Sequence, residues 1–599
     1  MTNIDRKIID VLKEDIDGII AEQHIPGLAI SLVDEKDILW TDCFGYSNLE
    51  TKTKVNPETI FNIQSIGKVF TAVGFMCAMT QGSISLEDKL LDYYPDFTVN
   101  SRYGNPEVEK LTFRHLLSHY GGFTHRTKIG GEYDQSTPSF EEYIKSIPDT
   151  WLRYPVGDRF FYSNLGMSLT AYCLSKVSGL SFPEFIQKEI CDPLGITTLA
   201  YGKEASLRNP NRAVGYTSGR EAEYSNIIYY GAGVQFLSVM DMSKFVQFMI
   251  NEGKIMGKQH ISKEYIQEMA KEQFTTSDSK QYYGLGLIVD KESIPNAEIL
   301  QHSGEGCGYN AYITWNVKYK VGVIILTNNH PTNGIPVLGN KALQLLLKAR
   351  GASISPPEKI TPETFITKPK TKVDIQDLKK LEGYYAFPGA KFEFKIIEDK
   401  PIGFYQGNPI PLFSHSEIEF TTPVPMAIKF ILDKEQNPTG ADVLVASGEV
   451  YRFEYQYKPE EVEAKGPNRT HWKKYEGIFE TTYLGDPVYS AIRLDNGHLK
   501  ILFDNQEETL KEFNKNTFFT FDGRAAIFEK DLFYYDNIRL TRMLNPTEYV
   551  SKLCNSNPEH HYLSKNKLEE LYSNLKYLQR DNEMKKITEI IQKLYPEEK

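Results

Sequence analysis

Ser65 and Lys68 lie three residues apart in Ile63–Gly82, a stretch carrying Ile66, Val69, Phe70, Val73, Phe75, Met76, Cys77 and Met79. Apolar residues on nearly every side predict a helix buried in a sizeable domain, and Gly82 supplies its C-terminal stop. A lysine in such surroundings is costly unless it is paired or its pKa is lowered. Positions i and i+3 share a helix face, so the amine can lie beside the serine hydroxyl. The helix start adds unpaired backbone N–H groups and a partial positive charge. A serine, an adjacent base and N–H donors are the parts of an acyl-transfer nucleophile. Taken alone, a Ser-x-x-Lys is far more often an ordinary solvated helix start, so its companions decide.

Two companions follow. Tyr162-Ser163-Asn164 lies between the turn Tyr154-Pro155-Val156-Gly157 and the next helix. A phenol that meets a buried ammonium ionises more readily. It can then take the serine proton and return it to the leaving group. Asn164 can hydrogen-bond both Lys68 and a substrate amide. His302-Ser303-Gly304 ends a strand. A glycine there lets an extended substrate approach as an added strand, and the N–H of Glu305 can join that of Ser65 as an oxyanion hole. Each cluster alone also has a plain structural reading, a loop capping a helix and a strand end with a satisfied histidine.

In that order, Ser-x-x-Lys, Tyr-x-Asn and His-x-Gly resemble the serine hydrolases of the class C β-lactamase and penicillin-binding group. Leu116-Leu117-Ser118-His119-Tyr120-Gly121-Gly122-Phe123 resembles that family's L-L-T-H-x-S-G-L segment. The run from Tyr154 to Asn164 is similar to its P-G-x-x-F-x-Y-S-N segment, and Gly231-Ala232-Gly233 before Leu237-Ser238 to its A-G-G-L-x-S-T segment. The resemblance covers residues 10–350. It implies an antiparallel sheet with a helical domain and an active site at their junction. It makes Ser65 the nucleophile, Lys68 and Tyr162 the general-base pair and Asn164 a positioning group. His302, Ser303, Gly304 and Glu305 become the substrate-binding and oxyanion strand. The family's Lys-Thr-Gly is here His-Ser-Gly, which removes a fixed positive charge that would bind a substrate carboxylate. His-x-Gly resembles the variant of some D,D-peptidases and D-aminopeptidases, so efficient β-lactam hydrolysis is not expected.

The elements that must position these residues follow from patterning. Residues 4–23 are an amphipathic helix. Gly27–Val33 and Asp37–Phe44 read as strands, and Ser85–Tyr94 as a short exposed segment. Helices are expected at Leu111–Tyr120, Ser139–Ser146, Leu165–Ser178, Phe182–Glu189 and Ser238–Asn251, the last capped by Ser238. Strands return from Tyr283, the last two as a hairpin near Lys318, before a closing helix at Val337–Arg350. The fold class expected is α+β, with a helical insertion between the strands of one sheet.

Residues 351–373 read as a Pro/Thr/Lys-rich linker. Beyond it, Leu378–Tyr385 (LKKLEGYY) and Trp472–Phe479 (WKKYEGIF) open two similar runs of short strands. These predict two small antiparallel β-barrels or sandwiches, 374–457 and 472–548, joined by a second linker at 458–471. Residues 549–599 read as a helical tail with one helix at Lys565–Tyr595, on the surface or binding a partner.

A net charge of −11 argues against a general nucleic-acid binder. The charged N-terminus has no apolar signal core, and no window suits a membrane span. With six scattered cysteines, the expectation is a reduced, cytoplasmic protein without membrane partners. No cofactor is implied. His115 and His119 have zinc-like spacing but lack the glutamate of H-E-x-x-H and a third ligand. Gly304–Gly308 leads into another strand, unlike a phosphate loop, and Cys307 reads as a filler beside glycines. The function expected is hydrolysis of a small amide, peptide (D-amino-acid peptides among them) or ester through a Ser65 acyl-enzyme. The rivals are a carboxylesterase or weak β-lactamase of the same family, and a non-catalytic penicillin-binding or interaction protein. Self-association would run through the C-terminal domains.

Overall fold

A computed structural model describes residues 5–104, 107–134, 136–217, 219–223, 226–274, 281–332, 334–354, 361–366, 373–387, 390–405, 408–424, 426–445, 450–457, 469–483, 486–504, 506–520, 523–529, 532–556 and 564–595. The chain divides into two compact units, Met1–Pro357 and Glu358–Lys599.

The first unit is built on strands β1 (Gly27–Asp34), β2 (Ile38–Asn48), β3 (Thr53–Lys54), β4 (Gln281–Tyr283), β5 (Ile288–Asp290), β6 (Ile299–Gly306), β7 (Tyr309–Asn316) and β8 (Val321–Thr327). They form one sheet in the order β4-β5-β6-β7-β8-β1-β2-β3, antiparallel at each pairing. Residues 55–280, which carry most of the helices, are thus an insertion between β3 and β4, as the change of pattern along the sequence implied.

Alternation along the strands sorts the core into two layers. Leu28, Ile30 and Leu32 of β1 join Tyr312, Val323 and Ile325 under helices α1 (Arg6–Gln23) and α5 (Ile335–Ala349). Ala29, Ile313, Trp315, Ile324 and Leu326 face the other way, onto α2 (Gly67–Thr80) and α4 (Val239–Ile250). Every residue of β1, β7 and β8 is buried, as expected of strands covered on both faces. Phe70 of α2 stacks on Phe245 of α4, with ring centroids 3.8 Å apart. Helix α3 (Asn164–Ser178) completes this layer. Ser238 caps α4, its side chain accepting from Asp241 N–H.

Several local expectations need correction. The segment 85–94 is not exposed: Leu86 and Leu90 are buried, and a turn of helix forms at Leu90–Tyr93. The helix expected over 111–120 is only Phe113–Leu117, because His119 takes a left-handed φ of +65° and ends it.

In the second unit a nine-stranded antiparallel sheet spans Gly383–Tyr457, and an eight-stranded closed barrel spans Gly477–Met543. Each follows a 3₁₀ turn, Lys379–Leu381 and Thr470–Tyr475, so the repeat in the sequence marks equivalent entries. The cores of both expected linkers, 355–360 with 367–372 and 458–468, lie outside the described residues, as does the side chain of Cys554. Between the first pair Pro362–Phe365 is helical, and Ile366 packs on Ala427 and Leu444. The single tail helix is corrected to two, Lys565–Tyr577 and Asp581–Leu594, after a further helix at Pro546–Ser556. The tail is not a free surface either. Leu568, Leu571, Leu575 and Ile587 pack with Ile478 and Tyr489 of the barrel.

Candidate active site

Ser65 sits on the 3₁₀ turn Gln64–Ile66, immediately before α2. The helix itself starts at Gly67, later than its apolar pattern suggested. The i to i+3 relation survives, since 3₁₀ geometry also superposes residues three apart. Lys68 Nζ donates to Ser65 Oγ at 3.0 Å and to the Ala232 carbonyl at 2.7 Å. The lysine is fully buried, and burial holds its pKa well below the ordinary lysine range, opposed by the charge of Glu132. The Gly231–Gly233 segment is therefore a wall of the site. Gly233 has a φ of +142°, and a Cβ there would meet Gln64 O at 2.3 Å.

The loop before α3 brings up Tyr162 and Asn164. The Tyr162 hydroxyl is hydrogen-bonded to Ser65. The expected meeting of phenol and ammonium is corrected, however. Lys68 Nζ lies over the Tyr162 ring face, 4.7 Å from its centroid, and its donors go to Ser65 and Ala232. Burial, helped by the nearby Glu305 carboxylate, raises the Tyr162 pKa, with the Ser65 bond opposing. Burial thus favours the protonated phenol and shifts the amine toward its neutral form. Asn164 bonds His125 rather than Lys68, Nδ2 to Nε2 at 3.1 Å.

Three residues that sequence reasoning did not assign to the site hold this loop. His119 accepts from Ser163 N–H at Nδ1, 3.3 Å, and its carbonyl accepts from Phe161 N–H at 2.9 Å. Its ring lies 4.4 Å from Tyr162 and 4.6 Å from Tyr283, centroid to centroid. Its zinc-like partner His115 bonds Thr112 instead. His125 Nδ1 lies 3.3 Å from the Tyr162 carbonyl. Tyr283 reaches His302. Spacing offered no signal for His125 or Tyr283; both belong to loops or edges that only the tertiary fold brings in.

His302, Ser303 and Gly304 run along β6 beside the serine turn. A Cβ on Gly304 would sit 2.1 Å from the Ile63 carbonyl, so only glycine allows this approach. Gln64 Nε2 donates to Gly306 O at 3.0 Å and ties the turn to the strand end. His302 Nδ1 lies 2.6 Å from Ser303 O, and Nε2 lies 3.1 Å from Tyr283 Oη. A carbonyl only accepts, so Nδ1 carries the proton and the Tyr283 hydroxyl donates to Nε2. Burial and the charge of Lys68 lower the His302 pKa to about 3. The ring is neutral with both nitrogens occupied. Ser303 is half-buried, and Glu305 reaches solvent at the strand end, its pKa raised by partial burial. Burial pushes the Cys307 thiol up to about 12, which makes it inert.

The sequence matches the Beta-lactamase family profile over residues 12–348. The chain belongs to the Beta-lactamase family. Its antiparallel sheet with inserted helices is the fold expected of that family's class C group, and the second unit's β-structure and helices follow it in the α+β arrangement expected. Members of the family act generally as serine hydrolases or penicillin-binding proteins. The chain is 22% identical to protein flp of Staphylococcus aureus over 335 residues, 55% of this chain and 64% of that protein. It thus spans under two thirds of the length of flp. It is 26% identical to the putative penicillin-binding protein PbpX of Bacillus subtilis, over 56% of this chain and 78% of that one. Among solved structures, the octameric penicillin-binding protein homologue from Pyrococcus abyssi is 28% identical with a TM-score of 0.52. That match covers 74% of this chain and 99% of that one, so it extends beyond the first unit. SurE with D-Leu shares the fold at 17% identity, with a TM-score of 0.52 over 75% of this chain and all of SurE. Among the described residues no helix is long and apolar enough to cross a membrane.

Proposed function

We propose that this chain is a serine hydrolase that cleaves small amides, peptides or esters through a Ser65 acyl-enzyme. One observation carries the reading. A fully buried lysine amine, in no ion pair among the described residues, donates to the hydroxyl of a serine at a helix start. A buried amine without a carboxylate partner favours its neutral form, which suits a general base. Neutral Lys68 takes the Ser65 proton as Oγ bonds to the substrate carbonyl carbon. The N–H groups of Ser65 and Glu305 stabilise the resulting oxyanion. The Lys68 ammonium and the Tyr162 hydroxyl, both held against Ser65, return that proton to the departing amine or alcohol. Water then cleaves the acyl-enzyme by the reverse route. Gly304 offers the β6 edge to the substrate backbone.

The neutral, fully bonded His302 favours amides and esters over carboxylate-bearing β-lactams, because no cation stands at the third motif. The D-amino-acid preference of an aminopeptidase is one form of this chemistry; a carboxylesterase is the other. Hydrolysis rates of D-alanine p-nitroanilide and p-nitrophenyl acetate separate them. A fluorescent phosphonate labels the chain and spares Ser65→Ala; labelling that survives the substitution refutes the assignment of Ser65. Absence of labelling and turnover in the unaltered chain would favour the non-catalytic reading. By analogy with the octameric Pyrococcus abyssi homologue, self-association through the second unit joins the proposal. Light scattering should then give a mass well above that of one 68.6 kDa chain.

A further inference from the structure

His125 moves no proton between Ser65, Lys68 and Tyr162, yet its half-buried ring lies against two residues of the site. It stacks beside Tyr162 at 5.9 Å and 22°. Its Nδ1 lies 3.3 Å from the Tyr162 carbonyl oxygen, and its Nε2 lies 3.1 Å from the Asn164 side-chain amide. These contacts leave one consistent assignment of protons. The carbonyl can only accept, so Nδ1 carries the proton. Burial and Arg126 lower the ring's pKa to about 4, with Glu132 opposing, so at neutral pH the ring has a single proton. Nε2 is therefore an acceptor, and the Asn164 atom facing it must be the NH₂. The opposite amide orientation would set an oxygen against a lone pair.

The consequence falls on the other end of the amide. Asn164 Oδ1 has no hydrogen-bond partner among the described residues, and it is not sealed from solvent. The lysine expected to hold it is turned to Ala232 O instead. We propose that His125 is a positioning residue that locks the Asn164 amide with Nδ2 inward and Oδ1 open to the cleft, so that the site selects substrates offering an N–H beside the scissile carbonyl. A substrate with an oxygen there would set two acceptors against each other. The inference deepens the hydrolase reading and rests on it.

Two esters that differ in one group test this. N-acetylglycine p-nitrophenyl ester has the N–H; acetoxyacetic acid p-nitrophenyl ester has oxygen in its place. Their kcat/KM ratio, divided by the ratio of their spontaneous hydrolysis rates, reports the selection alone. The full-length chain should prefer the N–H ester about 5- to 100-fold, the range for leaving a site acceptor unpaired. His125→Leu frees the amide to rotate and should bring the ratio near one, with circular dichroism as the folding control. Merely structural damage would slow both esters alike. His125→Gln, which keeps an acceptor for Nδ2, should restore most of the preference. A ratio near one in the unaltered chain, or a preference that His125→Leu leaves intact, overturns the inference while the hydrolase reading stands. Turnover of neither ester by the unaltered chain overturns both.

Discussion

Gly304→Ala tests the approach of β6 to the serine turn. The added methyl would sit 2.1 Å from the Ile63 carbonyl oxygen and 3.0 Å from Gln64 Cβ. Ordinary contact begins at 3.4 Å, so strand and turn must part by about 1.3 Å. Neither side gives easily, because the obstructing atom is backbone and the turn is tied to Gly306 O by Gln64. The N–H groups of Ser65 and Glu305 would move apart by the same step. A misplacement of about 1 Å costs on the order of 10²-fold in rate, or about 2.7 kcal/mol of transition-state stabilisation. Overpacking should also cost about 1–3 kcal/mol of stability. Urea unfolding measures the stability, and kcat/KM on p-nitrophenyl acetate together with the phosphonate labelling rate measures the activity. A folded Gly304→Ala variant that retains turnover within twofold would refute the claim that this contact aligns the two N–H groups.

Lys68→Met should lower kcat by about 10²–10⁴-fold, the scale of a lost general base, measured by burst and steady-state kinetics on the same ester. The rate should climb with pH as Lys68 deprotonates, without an inflection near pH 6.5, since the His302 pKa is lowered to about 3 and that of His125 to about 4. A histidine-like limb near 6.5 in kcat/KM would contradict this. Stability should follow the histidines whose pKa the fold lowers. His302, His125 and His115 are lowered to about 3, 4 and 4, so below pH 6.5 the unfolded chain binds more protons than the folded one. Their contribution is complete above about pH 6.5 and is lost as pH falls toward 3–4. Each tenfold difference in proton affinity is worth about 1.4 kcal/mol. Urea midpoints unchanged between pH 7 and pH 4.5 would count against it.

The legible parts of this molecule were those where chemistry interrupts a pattern. Ser65 and Lys68 stand out because a buried helix tolerates few polar groups, and Gly304 because a strand end needs a reason for glycine. Strands β1 and β6–β8 were readable as short apolar runs. What stayed hidden depends on contacts between distant segments. His125 is one histidine in a polar loop, and nothing near it in sequence marks its ring as the partner of Asn164. Tyr283 is one tyrosine among many. The amine's place over the Tyr162 ring, rather than on its oxygen, is decided by the Ala232 carbonyl. The break between the two tail helices falls near Gln579, at a φ of +58°, where neither glycine nor proline announces it.

The barrel of the second unit closes because Gly477–Tyr483 pairs with Ile538–Met543. Its first and last strands are each other's neighbours, so the ring has no terminus to leave bare. A chain cut short before Ile538 would therefore lose more than six residues. It would leave two unsatisfied ladders facing solvent, each a template for a second molecule. Such a fragment should gather into strand-paired aggregates.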